Sequence, residues 1–249
     1  GKGSVSGYPL NQFSMDENNN VLRIATTISQ RWNQIYYMKI RGPNVENKPT
    51  ESSSNVFTLD KNLDMIGSLK DLAKGEDIQS TRFMGDRLYM VTFRQVDPFF
   101  VIDLKNPKDI SVLGALKIPG FSRYLHPYDE NTIIGIGRDA NSITGQTKGL
   151  KISLFDVTDV ENPKEIAKFV TDEKYAQSSA EYEHKAFLFN KEKQLLVIPA
   201  YNYAYDWRGD SGEGSYNGAM VFKITKDAIT MRGIIDHSQG RKDYYGPQV

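Results

Sequence analysis

Two hairpin phrases, each written four times along the chain, predict an all-β fold: a β-propeller of four-stranded antiparallel blades. The first phrase is a short apolar strand, a tight polar turn and a stronger strand; the second is an alternating strand, a turn rich in Asp, Asn, Lys or Pro, and another strand. Equivalent residues Leu22, Leu88, Ile133 and Leu195 are spaced by 66, 45 and 62 residues, and the shortest spacing matches one propeller blade. A β-sandwich also has many short strands, but it does not call for four copies of one paired-hairpin unit.

Each unit therefore supplies strands A to D in order. The first blade, 11–72, carries FSMDENNNVLRIATT (13–27) and VFTLDKNLDMIGSL (56–69). The second, 79–118, carries RFMGDRLYMVTF (82–93) and VIDLKNPKDISVLGAL (101–116). The third, 121–170, carries RYLHPYDENTIIGIG (123–137) and LFDVTDVENPKEIAKF (154–169). The fourth, 183–236, carries KAFLFNKEKQLLVIPAY (185–201) and VFKITKDAITMRGII (221–235). The polar residues of the second phrase, among them Asp103, Asn106 and Lys108, read as turn and flank. The tail 237–249 reads as a lead-in to another blade, so these four blades are expected to be part of a larger propeller. An unclosed set would otherwise leave sheet edges open to pairing. Helix signals are sparse. The best is SLKDLAKG (68–75), with Leu69, Leu72 and Ala73 on one face and Gly75 as a stop.

Composition narrows the function classes. Lys+Arg and Asp+Glu are both 31, so balanced charge gives no reason to expect nucleic acid as a partner. There is no cysteine, which removes disulfides, thiolate chemistry and Cys-based zinc sites. No apolar run approaches the ~20 residues of a transmembrane helix, which leaves any membrane anchor to the parent chain.

GEDIQSTRFMGDRLYMVTFRQVDPFFVIDLKNP (75–107) resembles the signature of a secreted β-propeller family of archaea and bacteria, distantly related to WD40 repeats. PGFSRYLHPYDENTIIGIG (119–137), GLKISLFDVTDVENP (149–163) and NQFSMDENNNVLRIATT (11–27) resemble it too. The resemblance implies an extracellular or cell-surface protein and no established activity.

Insertions locate the expected working surface. They fall at B–C, over about 28–54, 138–149 and 202–217. B–C and D–A loops emerge on one face of a propeller, where a protein, peptide or glycan would bind. In YNYAYDWRGDSGEGSYNG (201–218), Tyr201, Tyr203, Tyr205 and Trp207 alternate and share one face of an extended strand. Such a row can stack on sugars or grip a peptide, and equally can pack on a neighbouring loop. Arg208-Gly209-Asp210 is explained by chance. Asp206, Asp210 and Glu213 are hard oxygen donors suited to Ca²⁺, but they lack calcium-loop spacing and read better as a solvated acidic loop; no other cofactor is implied. On the A strands, Arg82 and Arg123 match in position, with His184 near the same place. They could line a channel as a cationic ring, although pairing with nearby acids is the better reading.

Catalysis has little support. His126, His184 and His237 are scattered, with no metal-binding spacing, no phosphate loop and no nucleophile elbow. His126 is expected to hydrogen-bond locally. The leading expectation is a non-enzymatic binding propeller. Its alternative is a hydrolase or lyase acting on extracellular polysaccharide or peptide through the Asp206, Asp210 and Glu213 carboxylates.

Overall fold

The computed structural model describes residues 1–29, 51–93, 97–202 and 216–237. Among these residues, sixteen strands form four four-stranded sheets, each with its strands side by side in chain order. The first sheet holds β1 (Met15–Asn18), β2 (Val21–Ile28), β3 (Ser53–Leu59) and β4 (Met65–Leu72). The second holds β5 (Asp77–Met84), β6 (Arg87–Phe93), β7 (Asp97–Asp103) and β8 (Ser111–Ile118). The third holds β9 (Phe121–Asp129), β10 (Thr132–Ala140), β11 (Thr147–Asp156) and β12 (Lys164–Val170). The fourth holds β13 (Leu188–Asn190), β14 (Leu195–Asn202), β15 (Tyr216–Ile224) and β16 (Ile229–Asp236). This is the blade plan that the repeat predicts.

Hydropathy explains which strand goes where. Every residue of β3 is buried, the polar Ser53, Ser54, Asn55 and Thr58 included, and β10 and β11 are buried over most of their length, as strands covered on both faces are. The last strand of each blade is more exposed: none of β4, β8, β12 and β16 holds a fully buried residue, and β12 and β16 expose every second residue or more. The turns use local acceptors. Asn19 and Asn20 take left-handed backbone between β1 and β2, a conformation Asn tolerates well. Asp60 Oδ1 accepts from the amides of Asn62 and Asp64, Asp103 Oδ1 from Lys105, Asn106 Oδ1 from Lys108, and Asp156 Oδ1 from Thr158. The polar residues of the second phrase thus serve its turns.

One expected element is corrected. No helix forms over 68–75; β4 runs through Leu72, pairing Leu69 with Val56 and Leu72 with Ser54 across a register shift. Asp71 and Ala73 both have left-handed backbone (φ 59° and 46°), which a right-handed helix cannot contain.

The chain divides into two compact units. One comprises Gly1–Lys117 with Val160–Asn162, and its core joins Ala25 and Val56 of the first sheet to Ile78, Leu88, Met90 and Ile102 of the second. Each of these side chains larger than alanine, fully buried, contributes about 1.5–3 kcal/mol. The other comprises Ile118–Asp159 and Pro163–Val249. There Tyr124, His126 and Tyr128, alternate residues of β9, mesh with Phe187 and Phe189 at ring-centroid distances of 4.8–5.6 Å. Phe169 meets Phe222 edge-on at 5.0 Å. Aromatic pairs of this kind add roughly 0.5–1.5 kcal/mol beyond area burial. His126 Nδ1 shares a 3.1 Å hydrogen bond with the Tyr124 hydroxyl, the local role expected of it.

Candidate functional site

In an antiparallel A-B-C-D sheet, the start of A, the B–C loop and the end of D share one end. In the second unit that end carries a segment the repeat does not announce. Residues 171–187 link β12 to β13, whereas 73–76 suffice to link β4 to β5 and 119–120 to link β8 to β9. The B–C loop of the third blade is shorter than the sequence suggests, because β10 and β11 extend to Ala140 and Thr147 and leave only 141–146.

The 171–187 connection is laced down at several points. The Thr171 amide donates to the Leu150 carbonyl, and the Leu150 amide donates to Thr171 Oγ1. Gln177 and Tyr201 exchange backbone hydrogen bonds of 2.9 and 3.0 Å, and the Tyr201 hydroxyl donates to Gln177 Oε1 at 3.0 Å. A 3-10 turn, Ser179–Glu181, is closed by a capping box: Ser178 Oγ accepts from the Ala180 amide, and the Glu181 carboxylate accepts from the Ser178 amide.

Glu181 is the centre of this arrangement, its side chain 0% exposed. Arg138, near the end of β10, grips it with two parallel bonds of 3.0 Å, Nε to Oε1 and Nη2 to Oε2. Its third nitrogen, Nη1, donates to the Ala176 carbonyl at 2.5 Å. Arg123, on β9, approaches the same carboxylate with Nε 3.7 Å from Oε1, beyond hydrogen-bond range. Its guanidinium is flanked by two rings, Phe121 at 5.0 Å and Tyr182 at 4.8 Å. Burial pushes the Glu181 carboxyl above the ordinary glutamate range, outweighing the pull of Arg138, the Ser178 amide and Arg123.

Glycine at 137 makes this placement possible. A Cβ there would lie 2.0 Å from the Phe121 carbonyl oxygen and 2.8 Å from Ser122 Cα. The start of β9 can press against β10 only because Gly137 has no side chain. The register shift between Ile136 and Gly137 falls at the same point.

Of the residues singled out from sequence, Tyr201 is half-buried and held by Gln177. Tyr203, Tyr205, Trp207, Asp206, Asp210 and Glu213 lie outside the described residues, as do Arg208 and Gly209 and the tail beyond His237. Arg82 lies on β5 in the first unit, its guanidinium 4.1 Å above the Phe13 ring. Arg123 pairs with an acid. His184 lies in a 3-10 turn, His184–Ala186, ahead of β13, with Nδ1 3.5 Å from the Glu183 carboxylate. Glu181, Arg138 and Tyr182 are not among those residues. The sequence signal for the first was the Ser178-x-x-Glu181 capping pattern.

A fold built from repeated four-stranded antiparallel sheets, each with its strands side by side in chain order, defines a β-propeller repeat protein. The description "Beta propeller domain" matches residues 1–248, and the chain belongs to that family. It is 44% identical over 229 residues to an uncharacterized protein of Methanocaldococcus jannaschii, covering 92% of this chain and 31% of the relative. To an uncharacterized protein of Archaeoglobus fulgidus it is 37% identical over 205 residues, covering 82% of this chain and 28% of the relative. The chain thus spans about three-tenths of the length of these curated relatives. Among solved structures it is similar to a hypothetical selenium-binding protein from Sulfolobus tokodaii (TM-score 0.47, 10% identity, 88% of this chain and 53% of that one). It is also similar to the C-terminal WD40 domain of Sif2 (TM-score 0.36, 12% identity, 93% and 72%). Neither structural likeness bears on function. No helix among the described residues is long and apolar enough to cross a membrane.

Proposed function

We propose that the protein is a non-enzymatic binding module, carried outside the cell or at its surface. Its protein, peptide or glycan partner docks on the end of the second unit where the 171–187 connection lies. One observation supports this above others: Tyr182 and Tyr175 are 70% and 62% exposed on a segment whose backbone is pinned to β10, β11 and β14. Scattered exposed apolar residues are ordinary. Two large aromatics on one immobilised segment, one of them against an arginine, have the composition and rigidity of binding hot spots. The extracellular setting rests on the family resemblance carried by 75–107 and 119–137.

The test is a screen of the protein against glycan and cell-surface protein arrays, repeated with Tyr175→Ala/Tyr182→Ala. The double variant should lose at least about tenfold in affinity for whatever the unaltered protein captures. An unchanged binding pattern would refute the assignment of this face.

A further inference from the structure

We infer that Arg123 is the point at which this surface takes hold of a carboxylate, and that the partner is an acidic peptide segment. The inference rests on the binding face proposed above and narrows its ligand.

Two arginines share Glu181, and they differ in what remains uncommitted. Arg138 spends all three of its nitrogens on protein acceptors and is 13% exposed. Arg123 is 31% exposed and makes no hydrogen bond among the described residues. Its Nε is buried against Glu181 without a hydrogen-bond acceptor, whereas its two terminal nitrogens are neither buried nor bonded. The head is nonetheless fixed. Phe121 and Tyr182 hold it, and Glu181 lies beside its Nε edge. A planar guanidinium with free terminal donors presents the fork that a carboxylate oxygen pair completes. The local charge balance agrees: two cations face one buried anion, leaving one positive charge for a ligand to neutralise. Lysine would match the charge without the planar fork or the stacking.

A peptide is favoured over a sugar acid by the company Arg123 keeps. Arg and Tyr are the residue types enriched at protein-binding hot spots. One face of Tyr182 is already covered by the Arg123 guanidinium, which reduces its use as a stacking platform for a sugar ring.

The experiment is fluorescence anisotropy of the protein with a labelled oligo-glutamate peptide, an oligo-glutamine peptide of equal length and an oligo-galacturonate. The proposal expects binding of oligo-glutamate, weakened by added salt, with oligo-glutamine silent. Arg123→Ala should weaken it by about tenfold to a hundredfold, and Arg123→Lys should restore only part of that loss. Thermal unfolding of both variants close to that of the unaltered protein separates lost recognition from lost folding. Oligo-galacturonate binding without oligo-glutamate binding overturns the peptide assignment. Failure of oligo-glutamate to bind the unaltered protein overturns the proposal. Binding that survives Arg123→Ala but is lost in Tyr175→Ala/Tyr182→Ala overturns the role of Arg123 and leaves the binding face standing. Binding indifferent to all three residues overturns both.

Discussion

Arg138 and Arg123 reach one carboxylate from adjacent strands of the same sheet, yet they do different work. Arg138 closes two bonds on Glu181 and a third on the backbone of the connection, so it behaves as a clamp between β10 and 171–187. Arg123 touches the same acid only at 3.7 Å and is held by its faces rather than its edges. The difference shows how an ion pair can serve as scaffold on one side and leave a charged group available on the other. Proximity to an acid does not show that a basic residue is fully used; its hydrogen-bond ledger does.

The sharpest way to break the comparison is to remove the clamp. Arg138→Ala leaves Glu181 buried beside a single, poorly aligned cation, and should destabilise the protein by about 3–5 kcal/mol. Arg123→Ala should cost no more than about 1 kcal/mol, the range of a partly exposed cation–π contact. Urea midpoints of the two variants should therefore separate clearly, and equal midpoints would erase the distinction. Proton linkage gives a second, smaller effect. The folded carboxyl of Glu181 binds its proton more tightly than the unfolded one, so its contribution is full below the ordinary glutamate range and declines as pH rises through the folded value. Each tenfold difference in proton affinity between the two states amounts to about 1.4 kcal/mol. The stability of the unaltered protein relative to Glu181→Gln should fall as pH rises above the ordinary glutamate range, measured by urea unfolding; a rise would mean that the arginines win over burial. The smallest effect belongs to a region with no such shared partner. Asp156 is held below the ordinary aspartate range by the Thr158 side chain and amide. Its contribution is present above that range and fades as pH falls through the folded value. Asp156→Ala should cost about 0.5–1 kcal/mol, the loss of a turn hydrogen bond, with binding unchanged.

What was legible in the sequence follows from distance along the chain. The hairpins are local: alternation sets the strands, and Asp60, Asp103, Asn106 and Asp156 each bond an amide two residues on. Such patterns can be read from a few consecutive residues. The site is not local. Arg138 and Glu181 are 43 residues apart and meet only because β10 ends beneath the connection. The insertions mark the B–C loops, whereas 171–187 lies between repeats, where the local signal is the Ser178 and Glu181 capping pattern. The misread helix at 68–75 has a parallel cause. Leu69, Leu72 and Ala73 fit a helical face over too short a window, and pairing with Val56 and Ser54 decides the outcome instead.

The clamp also has a kinetic meaning. Because Arg138, Ser178 and Gln177 already hold the connection, engaging Arg123 requires no rearrangement of 171–187. Encounter is then governed by diffusion and by the single uncompensated charge, which speeds approach at low salt. A partner would arrive in one step, and the differences between partners would be written in how slowly each one leaves.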